Sequence, residues 1–254
     1  MMRALDITWR LITTGFCFSL FGLGGLALAL IVFPLMNLLI RDREQRTRVA
    51  QQTIHAVWRI FVRVMAVMGG VSYEVHGAEL LRQDRGTLVI ANHPSLLDIV
   101  FIMSLMERTQ CVVKAGVWKN PFMRGAVTAA NYIPNIGDPE KLIEDCVATL
   151  KAGNNLVIFP EGSRTPASGK RKIQRGFAYI ALRSQAPVRL VTVTCDPPTL
   201  LKGDPWYKIP ARRPHWVIRV HEHIEIEEDT AEPALAVRRI CAQVERRIEE
   251  SLVA

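Results

Sequence analysis

His93 and Asp98 stand five residues apart in Asn92-His93-Pro94-Ser95-Leu96-Leu97-Asp98, and these residue types together can do acid–base chemistry. A carboxylate on one ring nitrogen fixes the tautomer and steadies the imidazolium, while the other nitrogen removes a proton from a hydroxyl. The apolar run from Thr87 to Ala91 reads as a buried strand, and a strand passing through a tight turn into a helix is where open α/β sheets present functional groups. If Ser95 caps that helix, Asp98 lies in its first turn with its carboxylate able to reach back toward His93. The same spacing also fits a structural capping box beside a turn histidine. Ser95 has none of the flanking glycines that a nucleophile elbow needs and reads as the cap.

A second apolar run, Val157-Ile158-Phe159, enters Pro160-Glu161-Gly162-Ser163-Arg164 in the same manner. Glu161, Gly162, Ser163 and Arg164 are the candidate substrate-binding residues. Arg164 is the natural anion ligand, since its planar fork matches phosphate or carboxylate oxygens. A solvated turn would use the same residue types. Two strand ends of this kind in one chain favour a joint site.

The elements that must position these residues alternate. Strand-like runs occur at 71–75, 86–91, 111–113, 155–159, 188–194 and 216–220, with helical stretches at 95–106 and 139–152 between them. Asp138 as N-cap, Pro139 at the first position and Gly153 just past the end bound the second helix. The expected fold class is therefore α/β, a mostly parallel or mixed sheet covered by helices, with an N-terminal membrane helix. Residues 197–214, rich in proline and basic side chains, read as a long loop, and 232–252 as a charged terminal helix.

Residues 11–40 contain no charged side chain, and about 20 apolar residues suffice to cross a bilayer as a helix. Pro34 and the glycines from Gly22 to Gly25 leave a bent or re-entrant path open. The apolar run goes directly into a segment with Arg41, Arg43, Arg46 and Arg48, unlike a cleaved signal, and this bias places the chain beyond residue 40 on the cytoplasmic side of a cell inner membrane or another membrane. Residues 49–69 read either as a basic amphipathic helix on that membrane or as a core-packing helix, with Val57, Ile60, Phe61, Val64 and Met65 at helical spacing. Two regions are expected, membrane-anchoring helices over 1–69 and an α/β domain over 70–254. A net charge of +8 suits an acidic partner, and five scattered cysteines without C-x-x-C spacing give no disulfide framework or zinc site. No metal is expected.

The pairing of the Asn92–Asp98 and Phe159–Arg164 segments at this separation resembles the glycerolipid (lysophospholipid) acyltransferases, over roughly residues 70–225. Ala186-Pro187-Val188, Lys114, the Pro121–Gly125 turn and Gly176 are similar to further family segments. The resemblance implies that His93 is the general base, Asp98 its orienting partner, and the Glu161–Arg164 motif the acceptor site. It also implies an O-acyltransferase without a cofactor, whose partners are membrane lipid and an acyl-CoA or acyl carrier protein donor, with no nucleic acid. The expected acceptor is a lysophospholipid, foremost 1-acyl-sn-glycerol-3-phosphate. The alternatives are another lyso-lipid such as a lyso-aminolipid, or a membrane-anchored hydrolase. One departure stands out: Ala130–Ile136 lacks the arginine with which the family's second motif ends. Arg124 or the cluster Lys170, Arg171, Lys172 and Arg175 could supply that anion grip instead.

Overall fold

The four residues Leu88–Ala91 are all completely buried, as a strand covered on both faces must be. They form the central strand of the computed structural model, which describes residues 2–166, 172–226 and 232–253. Lys170 and Arg171 of the basic cluster lie outside the described residues. In chain order the elements are α1 (Met2–Ala27), a π-helical turn (Leu28–Val32), α2 (Phe33–Leu39), α3 (Arg43–Val67), β1 (Ser72–His76), α4 (Ala78–Gln83), β2 (Leu88–Ala91), α5 (Asp98–Leu105), β3 (Thr109–Lys114), α6 (Ala115–Lys119), α7 (Pro121–Ala129), β4 (Ile133–Asn135), α8 (Pro139–Lys151), β5 (Asn155–Ile158), α9 (Gly176–Ser184), β6 (Val188–Asp196), β7 (His215–Ile224) and α10 (Pro233–Val253).

The seven strands lie in the order β1-β7-β6-β2-β5-β3-β4, all neighbours parallel except the antiparallel pair β6–β7. The mixed α/β sheet expected from the alternation is thus present. Its parallel centre, β6-β2-β5, brings the ends of β2 and β5 side by side, through Ile90 opposite Ile158. The turns after these two strands carry His93 and Glu161. The edge strand β4 is only three residues long and contains Pro134, so its residues carry no strand signature.

One apolar layer packs α3 and α5 against one face of the sheet through Phe61, Val62, Met65, Phe101 and Ile102. The other packs α8, α9 and α10 against the opposite face through Leu150, Phe177, Val237 and Ile240. Of the apolar stripe in 49–69, Phe61 and Met65 are buried while Ile60 is exposed, because the buried face runs through Ala50, Ile54, Phe61, Val62 and Met65. Those residues face protein, so α3 is a core-packing helix. Its start at Arg43 takes in three of the four junction arginines, and Asp42 caps it by accepting from the Gln45 N–H.

The charge-free run is a continuous helical path, and residues Ala4–Leu39 are long and apolar enough to cross a membrane. Pro34 lies just after the π-helical turn, inside this path, where a proline removes one backbone hydrogen bond of the helix. Most of this surface is exposed, including Leu5, Trp9, Ile12, Leu23, Leu38 and Leu39. One side is fixed to the domain. A Cβ on Gly25 would lie 2.2 Å from the Phe122 carbonyl oxygen, and one on Gly125 would lie 2.4 Å from the Ala29 Cβ. Only glycines allow the N-terminal helix and α7 to approach that closely.

Candidate active site

The turn after β2 is built by exchange of backbone and side-chain hydrogen bonds. Asn92 is buried and locks the turn to β6: its Nδ2 donates to the Val193 carbonyl (2.8 Å), and its Oδ1 accepts from the Val193 N–H (2.7 Å). His93 comes next. Its Nδ1 lies 2.9 Å from Oδ2 of Asp98, and the same oxygen accepts from the Ser95 N–H at 2.6 Å. The reach-back expected of Asp98 is therefore made, but by a different local geometry. The helix begins at Asp98 and not at Ser95, the residue before it is Leu97, and no side chain caps that end. Ser95 Oγ makes only a 3.5 Å contact with the Leu97 N–H. Only the reach-back half of a capping box is present, and it coexists with the His–Asp pair because one carboxylate oxygen serves both donors.

Asp98 is fully buried, and its remaining oxygen accepts from the Trp216 indole N–H at 3.3 Å. Burial pushes its carboxyl above the usual carboxylate range, opposed first by the hydrogen bond and charge of His93 and then by the Ser95 and Trp216 donors. With Asp98 ionised, Nδ1 carries the ring proton, and Nε2 is left with a lone pair for a substrate hydroxyl. The imidazole is stacked on Phe159 at 4.2 Å between centroids, with an interplanar angle of 23°. That contact limits ring rotation.

The second strand end is stitched to the first. Glu161 Oε1 accepts from the His93 backbone N–H (3.0 Å) and from the Thr165 hydroxyl (3.0 Å), and the Thr165 N–H donates to the His93 carbonyl (2.7 Å). Gly162, at φ +64°, allows the tight turn that returns its N–H to the Phe159 carbonyl. Ser163 donates to the Arg164 carbonyl. Arg164 has the chemistry of an anion ligand, yet its Nη1 donates to the carbonyls of Leu200 (2.8 Å) and Leu201 (2.9 Å) in the 197–214 loop. Part of its fork therefore holds protein. Sequence reasoning misses Thr165, Trp216 and the Asn92 clamp, since each acts across more than 60 residues or on a strand with no motif of its own.

His93, Gly162, Ser163 and Arg164 open onto one cavity of about 940 Å³, at the upper end of the roughly 300–1,000 Å³ usual for small-molecule sites. Its walls away from His93 are apolar and aromatic, among them Phe21, Trp58, Phe61, Met103 and Val127. Lys114 and Arg175 line it as well. Lys114 pairs with Asn135 across the β3–β4 ladder, beside the stretch that lacks the expected arginine. Among the described residues no group of three or more His, Cys, Asp or Glu side chains could hold a metal ion.

An α/β sheet that delivers a histidine, backed by a buried aspartate, to an apolar cavity marks a class of protein, and residues 72–195 match the Acyltransferase family model. The match takes in 124 of the 254 residues and includes both strand-end motifs, over which the chain is similar to the acyltransferases. It is 25% identical to the chloroplastic 1-acyl-sn-glycerol-3-phosphate acyltransferase BAT2 of Brassica napus, over 70% of this chain and 52% of that protein. With the 1-acyl-sn-glycerol-3-phosphate acyltransferase of Pseudomonas aeruginosa it shares 27% identity, over 51% of this chain and 52% of the relative. The chain thus spans about half the length of these curated relatives. The crystal structure of the 1-acyl-sn-glycerophosphate (LPA) acyltransferase PlsC from Thermotoga maritima superposes with a TM-score of 0.71, covering 99% of this chain and 98% of that one. At 21% identity, that likeness is one of fold.

Proposed function

We propose that this chain transfers a fatty acyl group from acyl-CoA or acyl carrier protein to the free hydroxyl of 1-acyl-sn-glycerol-3-phosphate, giving phosphatidic acid. The observation that carries this reading is the His93–Asp98 pair opening onto an apolar cavity that also borders the N-terminal helix. His93 Nε2 takes the proton of the acceptor hydroxyl as its oxygen attacks the thioester carbonyl. Asp98 steadies the imidazolium, which returns the proton to the departing thiolate. Both the new ester bond and the broken thioester bond are accounted for without a covalent enzyme intermediate. The apolar walls suit acyl chains. Glu161 keeps the two strand ends in register, and Lys114, Arg175 and the uncommitted part of Arg164 supply positive charge to the acceptor phosphate in place of the arginine missing near Asn135.

The helix over Ala4–Leu39 attaches the domain to the membrane, and the arginines at 41–48 favour the cytoplasmic face of the inner membrane for the domain. The test is detergent-solubilised protein incubated with both donor types and a panel of lyso-acceptors, with products identified by mass spectrometry. Acylated lipid should form, and His93→Ala should abolish it. Release of free fatty acid alone would mark a hydrolase, and near-normal transfer by His93→Ala would overturn the mechanism.

A further inference from the structure

The family match ends at residue 195, yet a side chain 21 positions further on touches the His–Asp pair. Trp216 lies on β7, completely buried, between Tyr73 on β1 and Cys195 on β6 in the sheet register. Its ring is 5.5 Å from that of Phe101 on α5. The two oxygens of Asp98 divide the work. Oδ2 takes both local donors, His93 Nδ1 and the Ser95 N–H, while Oδ1 faces the sheet and meets the Trp216 N–H. An indole N–H is a donor only, so it suits a carboxylate oxygen and no protonated carboxyl O–H bound through the same atom.

We propose that Trp216 is a positioning residue for the transfer reaction, its indole N–H fixing the plane of the Asp98 carboxylate so that Oδ2 stays aimed at His93 Nδ1. The inference rests on the reading of His93 as base. A carboxylate held only on Oδ2 can turn about its Cβ–Cγ bond. One held on both oxygens cannot without breaking a bond to a side chain that is itself clamped in the sheet. The N–H also favours the ionised form of a group that burial drives toward protonation, and a protonated Asp98 cannot hold His93 in the tautomer that leaves Nε2 bare. The titratable groups near Asp98 are His93 on the same turn and Cys195 on β6, whose thiol is pushed up to about 12 by burial and so remains neutral.

The experiment is Trp216→Phe in the full chain, assayed across pH. Turnover should fall by about 10-fold to 100-fold, the range expected on losing a hydrogen bond to a charged group. KM for both substrates should hold, and the acidic limb of kcat should move to higher pH. Phe101→Leu is the packing control: it loosens the ring without removing the N–H, and should lower the melting temperature while leaving that limb in place. Wild-type turnover and limb in Trp216→Phe, or an equal displacement in Phe101→Leu, would overturn the proposal. A readout without turnover covers a variant that fails to fold. The Trp216 indole resonance, assigned by replacing the other four tryptophans in turn, should move upfield in Asp98→Ala, and an unmoved resonance would also overturn it. An inactive wild-type protein whose indole resonance still responds would count against the proposed function and leave the contact standing.

Discussion

Asp98 is costly to the fold and useful to the chemistry, and the two can be separated by one substitution. Its folded-state pKa lies above the value of about 3.9 that an unfolded chain would show, so the folded protein binds the proton more tightly. Below that unfolded value the group contributes nothing to stability. As pH climbs through the raised folded value, the buried charge becomes a cost, and the cost persists at neutral pH. Asp98→Asn should therefore lower kcat by roughly 10²-fold to 10⁴-fold. Its melting temperature should match wild type near pH 4 and equal or exceed it at pH 7. A clear loss of melting temperature at pH 7 would show the carboxylate to be stabilising. At this scale the pair is legible in the sequence, because His93 and Asp98 are joined by five residues of local geometry. The partners of their outer atoms, Trp216 and Glu161, are not legible as partners, since contact across the sheet depends on strand order, which no local pattern encodes.

At the scale of elements, the parallel centre of the sheet sets the site, and a buried ion pair at its opposite end holds that centre together. Arg189 on β6 donates through Nε and Nη2 to Asp84, the C-cap of α4, and through Nη1 to the His221 carbonyl on β7. Both side chains are under 5% exposed. Asn155 extends the tie by donating to the Asp84 carbonyl and accepting from the Thr87 N–H just before β2. Arg189→Leu leaves the buried Asp84 carboxylate with only the exposed His223 ring beside it, at 3.1 Å, and should cost about 3–5 kcal/mol, read from denaturant unfolding. Adding Asp84→Leu should recover much of that loss, and simple additivity of the two costs would exclude the pair as the cause. Helix and strand positions are largely readable here because β2, β5 and β6 are short apolar runs flanked by turn residues, and α8 has both its cap and its stop. The start of α5 lies three residues beyond Ser95, where the sequence puts it. Ser95 has the chemistry of a cap, but the Asp98 carboxylate draws the Ser95 N–H into the turn before the helix, and α5 starts without a side-chain cap.

Considered whole, the molecule is held to its N-terminal helix by a strap that the sequence shows only as a basic, proline-rich loop. Arg10 is 2% exposed, although it sits in an apolar helix, and its guanidinium donates to the carbonyls of Pro210 (2.8 Å), Ala211 (3.3 Å) and Arg212 (2.9 Å), with Asp6 as counter-charge. Arg164 holds the other end of the same strap at Leu200 and Leu201, and Arg213 fastens it to the C-terminal end of α3 through the carbonyls of Ala66 and Val71. Between these ties Trp206 packs 5.8 Å from Phe18 on α1, and Tyr207 points outward, 61% exposed. Trp9, Ile12 and Phe16 on the helix and Trp206 and Tyr207 on the strap are all exposed, and amphipathic aromatics of this kind settle at the level of lipid headgroups. If the strap meets the bilayer beside the helix as the proposed function requires, brominated phospholipid vesicles should quench part of the tryptophan emission, and Trp206→Phe should remove a measurable share of the quench. Arg10→Met should weaken the Trp206 share by freeing the strap, without altering quenching from Trp9. Emission indifferent to brominated lipid in all three proteins would place the strap in water and count against its contact with the membrane.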